Sequence, residues 1–198
     1  MTPLDDVLTR AQAFFMKSSA VHVAASRIAK ELNALGIPYA IAGGLAVGMH
    51  GHERVTDNVD VLLTAEGWQG FEQAWLGRGW ERSQGSRSMR DTVVDVPVDV
   101  LLTGDFPGDG KPKPVAFPDP AEAAEFDPRY GYPVIRLERL IELKLASGMD
   151  LVSRLRDLAD VVDLIRKRRL PRDLGEQLNP WVRAKYEALW DGIAAEAE

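Results

Sequence analysis

The chain has 198 residues, of which 45% are hydrophobic and 27% are charged, and its formal net charge is −6. This composition is typical of a globular domain and excludes a disordered or fibrous protein. The absence of cysteine excludes disulfides, thiolate catalysis and zinc bound by cysteine. The negative charge argues against a surface that binds nucleic acid throughout. No apolar run approaches the roughly 18 residues of a spanning helix, and residues 1–17 lack a signal-peptide layout, so we expect a cytoplasmic protein without membrane contact.

Apolar residues at helical spacing mark the first 35 positions. The pattern runs through residues 1–17 and continues from Val21 to Leu35, where Gly36 and Pro38 end it. We predict one or two amphipathic helices that pack on a sheet.

Residues 41–64 bring a strand end, a glycine pair, a short helix and an acidic strand together. The segment 38–43 is short and apolar, which predicts a buried strand that ends in a tight turn at Gly43 and Gly44. The residues after the glycines predict a turn or two of helix. Backbone N–H groups at the amino end of such a helix favour an anion such as a phosphate.

The segment 58–63 alternates as a strand does, with Asn58 and Asp60 as its polar members. Side chains repeat every two residues along a strand, so these two share one face. Asp57 lies three residues before Asp60 and faces the opposite way in a regular strand. Geometry therefore favours the pair Asn58 and Asp60, unless a bulge falls between Asp57 and Asp60.

The middle of the chain predicts a helix followed by strands. Aromatic and aliphatic residues at helical spacing predict a core-facing stripe, which consists of Trp68, Phe71, Trp75 and Leu76. Residues 80–103 are strand-rich, and alternation places Asp95, Pro97 and Asp99 on one face, provided that no bulge intervenes. Pro97 cannot donate a ladder hydrogen bond, which predicts an edge, a bulge or a hairpin turn near residues 94–97.

Glycine and proline dominate residues 104–128, which predicts a long surface loop with no regular element. This loop is not a phosphate-binding P-loop, because Asp105 and Pro112 stand where that motif needs Gly and Ser or Thr. Residues 132–136 predict a short strand, and helices follow it to the end of the chain. The second of these helices is predicted to bury Leu151, Leu155, Leu158, Val162 and Ile165, with Arg154, Arg156, Asp157 and Asp160 flanking that stripe.

Three features are expected to meet in space: the glycine turn, the face of Asn58 and Asp60, and Asp99 on a later strand of the same sheet. Carboxylates that converge from neighbouring strands suit hard divalent cations, which take oxygen ligands and bridge to phosphates. Alternatively, each strand-end Asp caps a loop or faces water. The ordered set favours the cation site.

The order of these motifs resembles the nucleotidyltransferase superfamily with the polymerase-beta-type fold. The glycine pair, the short helix, Arg-x-Thr, a D-x-D-like strand and a third Asp carry the resemblance, and Lys144 in ELKLASG and the segment RDLAD extend it. It runs from about Ile41 to Ile165 and is nearest to the bacterial abortive-infection toxin nucleotidyltransferases. It implies an α/β (α+β) fold with a mixed sheet flanked by helices. The core would span residues 1–135, and a C-terminal helical segment, 136–198, would pack on it.

The resemblance implies transfer of a nucleoside monophosphate from a nucleoside triphosphate to a hydroxyl acceptor, which could be RNA or protein, with Mg²⁺ or Mn²⁺ as cofactor. Asp60, Asp99 and the Asn58 position would bind metal, and Asp99 would activate the acceptor hydroxyl. Two metals would bridge the attacking and leaving oxygens. The nucleotide-binding residues would be Gly43, Gly44, Arg54, Thr56 and Lys144. Asp157 would assist catalysis from the far wall.

One departure from the family pattern bears on function. The position of the first metal-binding aspartate holds Asn58, whose amide is neutral and cannot chelate as a carboxylate does. At a few ångströms, a unit charge is worth several kcal/mol against a cation even at an effective dielectric of about 20, so we expect weaker metal binding. A second hypothesis is therefore a degenerate domain that binds nucleotide or a partner, such as an antitoxin-like protein in a toxin-antitoxin-type system.

Two further alternatives have less support. A metal-dependent phosphohydrolase needs a ligand array that His22, His50 and His52 do not supply. The basic run Arg166–Arg169 suggests contact with RNA. Cations at the carboxyl end of a helix are, however, expected from the helix dipole alone.

Overall fold

The computed structural model describes residues 20–52, 54–83 and 87–196. Its first helix, α1, is described over residues 20–34 and buries Val21, Ile28 and Leu32. The helical pattern predicted from Val21 onward is confirmed, and the part predicted over residues 1–17 lies outside the described residues.

Seven strands form one mixed sheet in the described chain, which confirms the predicted fold class. Their bounds are β1 Ala40–Ala42, β2 Val59–Leu63, β3 Trp80–Arg82, β4 Ser88–Asp91, β5 Val96–Leu102, β6 Ala124–Asp127 and β7 Tyr132–Ile135. Their spatial order is β3-β4-β5-β2-β1-β7-β6. The strand β2 runs parallel to β5 and antiparallel to β1, and β1 runs parallel to β7.

The centre of the sheet is covered on both faces. Every residue of β1 is buried, and in β2 every residue except Asp60 is buried. Consecutive buried residues in a strand require cover on both sides of the sheet. Asp60 is therefore the point at which these central strands reach an open space.

The helices after α1 flank this sheet. They are α2 Gly43–Met49, α3 Ala65–Trp75, α4 Pro120–Ala123, α5 Leu137–Asp150, α6 Leu155–Arg168 and α7 Pro180–Ala195, with 3-10 turns at Val152–Arg154 and Arg172–Gln177. The helices α5, α6 and α7 pack on one another, and α5 also contacts α2. None of the described helices combines the length and apolar character needed to cross a membrane.

The predicted aromatic stripe of α3 belongs to the core. Trp68 and Phe71 are buried, and the Phe71 ring meets the Trp80 ring edge-on at a centroid distance of 5.6 Å. The helix begins after Thr64, whose side chain accepts a hydrogen bond from the Gly67 N–H.

The proline in the strand-rich region follows a hairpin turn, which is one of the predicted alternatives. The strands β4 and β5 are antiparallel, with Arg90 opposite Pro97, and residues 92–95 turn between them. Asp95 lies in that turn with a φ of 57°, so the prediction that it shares the strand face of Asp99 is wrong. A left-handed residue in the turn ends the alternation before the strand begins.

The prediction that residues 104–128 contain no regular element is also wrong. The helix α4 and the strand β6 occupy the end of this segment. The Asp119 side chain caps α4 by accepting the Ala121 N–H, and Pro120 suits the first helical position. The strand β6 then pairs with β7 in an antiparallel hairpin at the edge of the sheet, and this local pairing overrides the composition.

Candidate active site

A cleft of about 740 Å³ lies between the sheet and the helices α5 and α6. Every residue that the sequence predicted for the site lines this cleft. They are Gly43, Gly44, Arg54, Thr56, Asn58, Asp60, Asp99, Lys144 and Asp157. The pairing of β2 with β5 and the packing of α5 with α6 bring these distant segments together.

Asp60 and Asp99 stand side by side in the cleft. They are paired residues of the parallel strands β2 and β5, so their side chains leave the same face of the sheet. Asn58 precedes β2, and its Nδ2 donates to Asp60 Oδ1 at 3.3 Å and to Asp99 Oδ2 at 2.7 Å. The structure therefore places Asn58 and Asp60 on one face, as strand periodicity predicts.

The orientation of the Asn58 amide is held by its neighbours. Thr56 Oγ1 donates to Asn58 Oδ1 at 3.1 Å, which turns the amide nitrogen towards the two carboxylates. The Ser88 hydroxyl donates to the other oxygen of Asp99. An amide nitrogen has no lone pair to offer a metal. In this orientation Asn58 bridges the carboxylates and is not a metal ligand.

The carboxylates of Asp60 and Asp99, called the acid pair below, are not fully neutralised by the positive charges near them. Burial and then the neighbouring charge of Asp99 raise the pKa of Asp60 to about 6, and the opposing effects of Lys144, the Gly44 N–H and Arg154 offset this only in part. Two carboxylates that share a site in this way favour a proton or a cation between them.

Two carboxylates, those of Asp60 and Asp99, converge on one point, and the Asn58 amide nitrogen lies at that point. The described residues contain no group of three histidine, cysteine or acidic side chains that could hold a metal. The two-metal arrangement that the resemblance implies therefore lacks a third carboxylate, because the amide of Asn58 stands in its place.

The glycine pair makes room for the side chains of the site. Gly43 has a φ of 59°, and a Cβ there would lie 1.8 Å from Asp60 Oδ2. A Cβ on Gly44 would lie 2.6 Å from Nη2 of Arg54 and 3.0 Å from Oγ1 of Thr56. The glycines are thus required for the close approach of Asp60 and Arg54. Approach of their backbone to a triphosphate stays a prediction.

Lys144 belongs to a buried group of charges on α5 and α6. Its Nζ lies 2.6 Å from Asp157 Oδ1 and 2.8 Å from Asp160 Oδ2, and Asp160 Oδ1 also pairs with Arg54 Nε at 2.9 Å. Ser147 Oγ donates to Asp157 at 2.7 Å. Burial alone would raise the pKa of Asp157, but Lys144 and the Ser147 hydroxyl hold it below its usual value.

The predicted buried stripe of α6 is wrong at its amino-terminal end. Leu155 is 55% exposed, whereas Asp157 and Asp160 are buried. Asp157 and Asp160 are buried in place of Leu155 because the positive charges of Lys144 and Arg54 lie beside the two carboxylates. Further along the helix the buried aliphatic residues are Val161, Leu164 and Ile165.

Four residues of the site were missed as functional candidates by the sequence interpretation. They are Ser147, Arg154, Arg156 and Asp160, of which the first three line the cleft and the last lies behind Lys144. The sequence did contain a signal for Asp160. It is the third residue after Asp157, so the two side chains lie on the same side of the helix and both face α5. Arg156 stands in the RDLAD segment that extends the resemblance, but the sequence interpretation gave it no role. Arg154 gave no signal, because a charged residue beside an apolar stripe usually faces water.

Two of the histidines lie outside the cleft lining. His50 donates from Nε2 to the carbonyl oxygen of Ile135 at 2.7 Å, and His52 lies 3.2 Å from Asp163. Both imidazoles therefore contact residues that do not line the cleft.

We expect Asp60→Asn to stabilise the metal-free protein near neutral pH. The pKa of Asp60 rises from 3.8 to about 6 on folding, so the ionised carboxylate lowers the free energy of unfolding by roughly 2–3 kcal/mol above about pH 6. This penalty fades as the pH falls towards about 4, where both states bind the proton. Thermal unfolding in EDTA should show a stability gain that grows with pH across this range. An equal gain at every pH would contradict the raised pKa.

The structure was compared with known proteins. No protein-family model matches the chain, and no curated protein matches it. The structure does match that of ANT(2'')-Ia in complex with adenylyl-2''-tobramycin, with 12% identity, a TM-score of 0.55, and coverage of 85% of this chain and 98% of that chain. The solution structure of the antibiotic-resistance factor ANT(2'')-Ia gives 12% identity, a TM-score of 0.52 and coverage of 91% and 96%.

A third match is an antigenic nucleotidyltransferase-like protein from Paracoccidioides brasiliensis. It has 19% identity and a TM-score of 0.52, and the match covers 76% of this chain and 77% of that chain. At these identities the likeness concerns the fold. The chain therefore has a nucleotidyltransferase-like fold.

Proposed function

We propose that this protein transfers a nucleoside monophosphate from a nucleoside triphosphate to a hydroxyl acceptor. The observation that carries the proposal is the pairing of Asp60 with Asp99 in a cleft whose facing wall holds cationic side chains. A carboxylate pair suits a divalent cation and a reacting hydroxyl, and cations suit a polyphosphate. ANT(2'')-Ia, which shares the fold, was solved with adenylyl-2''-tobramycin, in which an adenylyl group is attached to tobramycin.

In this proposal Asp60 and Asp99 hold Mg²⁺ or Mn²⁺. A divalent cation bound there stabilises the negative charge that develops on the phosphate oxygens. Asp99 accepts the proton of the acceptor hydroxyl while the hydroxyl oxygen forms a bond to the α-phosphorus. The bond between that phosphorus and the pyrophosphate oxygen breaks, and pyrophosphate leaves. Asp99 lines the cleft, and the hydrogen bonds that it accepts from Asn58 and Ser88 fix the orientation of its carboxylate there.

The remaining predicted residues bind or position the nucleotide. Gly43 and Gly44 admit Asp60 and Arg54 to the cleft, and Thr56 holds the Asn58 amide. Lys144 turns a remaining N–H to the nucleotide phosphates, since its Nζ donates to Asp157 and forms an ion pair with Asp160. Asp157 positions Lys144 through the 2.6 Å contact.

The proposal is tested with each nucleoside triphosphate labelled at the α-phosphate, with Mg²⁺ or Mn²⁺ and pooled RNA, protein and small hydroxyl acceptors. We expect the native chain to transfer label and Asp60→Ala to reduce the rate at least about a hundredfold, because the pair loses half its charge. Asp163→Ala is the matched control, since Asp163 pairs with His52 outside the cleft lining. Transfer that survives Asp60→Ala would show that the proposed metal site is wrong.

A second candidate is favoured by the Asn58 bridge. The amide nitrogen bonds to both carboxylates and takes the direction from which a metal would approach them. The domain could then bind nucleotide or a protein partner without catalysis, for example as one member of a toxin-antitoxin-type pair. In the same assay, silence of the native chain together with transfer by Asn58→Asp would favour this candidate.

A further inference from the structure

The cationic side chains that line the cleft fall into two groups. Lys144 and Arg54 form the first, and their side chains are only 9% and 16% exposed. Asp157 and Asp160 pair with them at 2.6–2.9 Å. These two carboxylates offset the two positive charges, so this group has little charge left for an anionic ligand.

Arg154 differs from that group because half of its side chain is exposed. Its Nε donates to Ser147 Oγ at 3.0 Å and lies 3.3 Å from Asp157 Oδ2. In the part of the chain that the structure describes, its hydrogen bonds use Nε alone, and the terminal nitrogens carry most of its N–H donors. Ser147 and Asp157 therefore orient the guanidinium by one edge and leave the other edge for a ligand.

Arg156 lies two residues further on and lines the same cleft. Within the described ranges, its recorded hydrogen bond runs from Nη2 to the carbonyl oxygen of Val55 at 3.5 Å, which is at the limit of such a bond. Both arginines stand at the amino-terminal end of α6, where the helix dipole disfavours cations. The helix dipole therefore does not explain the presence of these arginines.

We propose that Arg154 and Arg156 bind the polyphosphate chain of the nucleoside triphosphate, an assignment that rests on the proposed transfer function. A planar guanidinium with free terminal nitrogens can form two parallel hydrogen bonds to phosphate oxygens. The charge of Arg154 is also close enough to act on the Asp60 carboxylate. A polyphosphate held by these arginines thus lies within reach of the acid pair where transfer would occur.

The test measures binding alone, by isothermal titration calorimetry of the full chain with Mg²⁺ present. The probes are ATP, GTP, CTP, UTP and inorganic tripolyphosphate, which lacks base and sugar. We expect Arg154→Gln and Arg156→Gln each to weaken the binding of every probe at least about tenfold, and Arg154→Lys to weaken it less because the charge remains. Arg78→Gln is the matched control, since Arg78 is exposed beyond the end of α3, where its Nη1 donates to the carbonyl oxygen of Ala74 at 3.3 Å.

Equal affinity of the two glutamine variants and Arg78→Gln would overturn this inference and leave the transfer proposal standing. Weaker binding of the nucleotides with unchanged binding of tripolyphosphate would also overturn it, because the arginines would then contact base or sugar. Native protein that binds no probe would overturn both proposals. If the two glutamine variants bind the probes more weakly and the native chain transfers no label, the result would support phosphate binding by the arginines and contradict the transfer function. Arg156 lies outside the buried ion group, so its variant tests the inference even if Arg154→Gln unfolds.

Discussion

Replacing Asp160 with alanine is expected to lower the free energy of unfolding by about 3–5 kcal/mol. Asp160 is 2% exposed, and its two oxygens pair with Lys144 at 2.8 Å and with Arg54 at 2.9 Å. Its removal leaves two buried cations with Asp157 as the remaining carboxylate. For a chain of this length, the melting temperature should fall by roughly 10 °C in differential scanning calorimetry.

Asp163→Ala provides the control on the same helix. Asp163 lies one turn further along α6, its side chain is 38% exposed, and it pairs with His52. We expect its loss to change the free energy of unfolding by no more than about 0.5 kcal/mol. Asp160→Asn keeps the side-chain volume and one acceptor, so it should fall between the two alanine variants. Equal melting temperatures for Asp160→Ala and Asp163→Ala would contradict the role of Asp160 as the shared partner of Lys144 and Arg54.

Replacing Asn58 with aspartate is expected to reverse the response of the protein to divalent cations. The new carboxylate lies beside Asp60 and Asp99 and loses both N–H donors of the bridge, so the metal-free protein should become less stable by about 3 kcal/mol near neutral pH. Three converging carboxylates should, in turn, bind Mg²⁺ or Mn²⁺ far more tightly than two do. The rise in melting temperature on adding either cation should therefore be several degrees larger than in the native chain.

The control for this experiment is Asn33→Asp, which makes the same change of charge at an exposed position in α1. Its melting temperature should respond to cations as the native protein does. If Asn58→Asp gains no more stability from Mn²⁺ than Asn33→Asp gains, the acid pair does not bind a divalent cation. Calorimetric titration with Mn²⁺ gives the affinity independently of unfolding.

The two experiments address different parts of one cleft. The buried charges around Asp160 hold α6 against α5 and the segment before β2, and they set the wall of the cleft. The hydrogen bonds from Asn58 determine how much of the negative charge of Asp60 and Asp99 remains uncompensated. A cleft with an intact wall and an Asn58 bridge that excludes cations would bind nucleotide without transferring it.

Local patterns in the sequence predicted the elements well where periodicity was strong. The alternation of residues 58–63 placed Asn58 and Asp60 on one face, and the helical spacing in residues 65–76 placed Trp68 and Phe71 in the core. Prediction failed at the end of the segment 104–128, where the composition of the whole segment was applied to residues 121–127, which contain neither glycine nor proline. The strand β6 forms there and pairs with β7, the next strand along the chain.

Prediction also failed for charged residues in the amino-terminal half of α6, where partners from other segments decide which side chains are buried. Periodicity assigned Leu155 to the core and Asp157 and Asp160 to its flanks, and the structure reverses these positions. Asp157 and Asp160 are buried beside buried cations, and these cations come from α5 and from the segment before β2. No window of the α6 sequence contains them.

The sequence alone identified nine residues that line the cleft, because the motifs that contain them follow one another in a recognisable order. It also identified the position at which an amide replaces a carboxylate. Only the tertiary structure decided what that amide does, since the direction of the Asn58 side chain depends on Thr56 and on Asp99, which lies 41 residues away. The register of β2 with β5 brings the second carboxylate to the amide, and neither strand encodes that register alone.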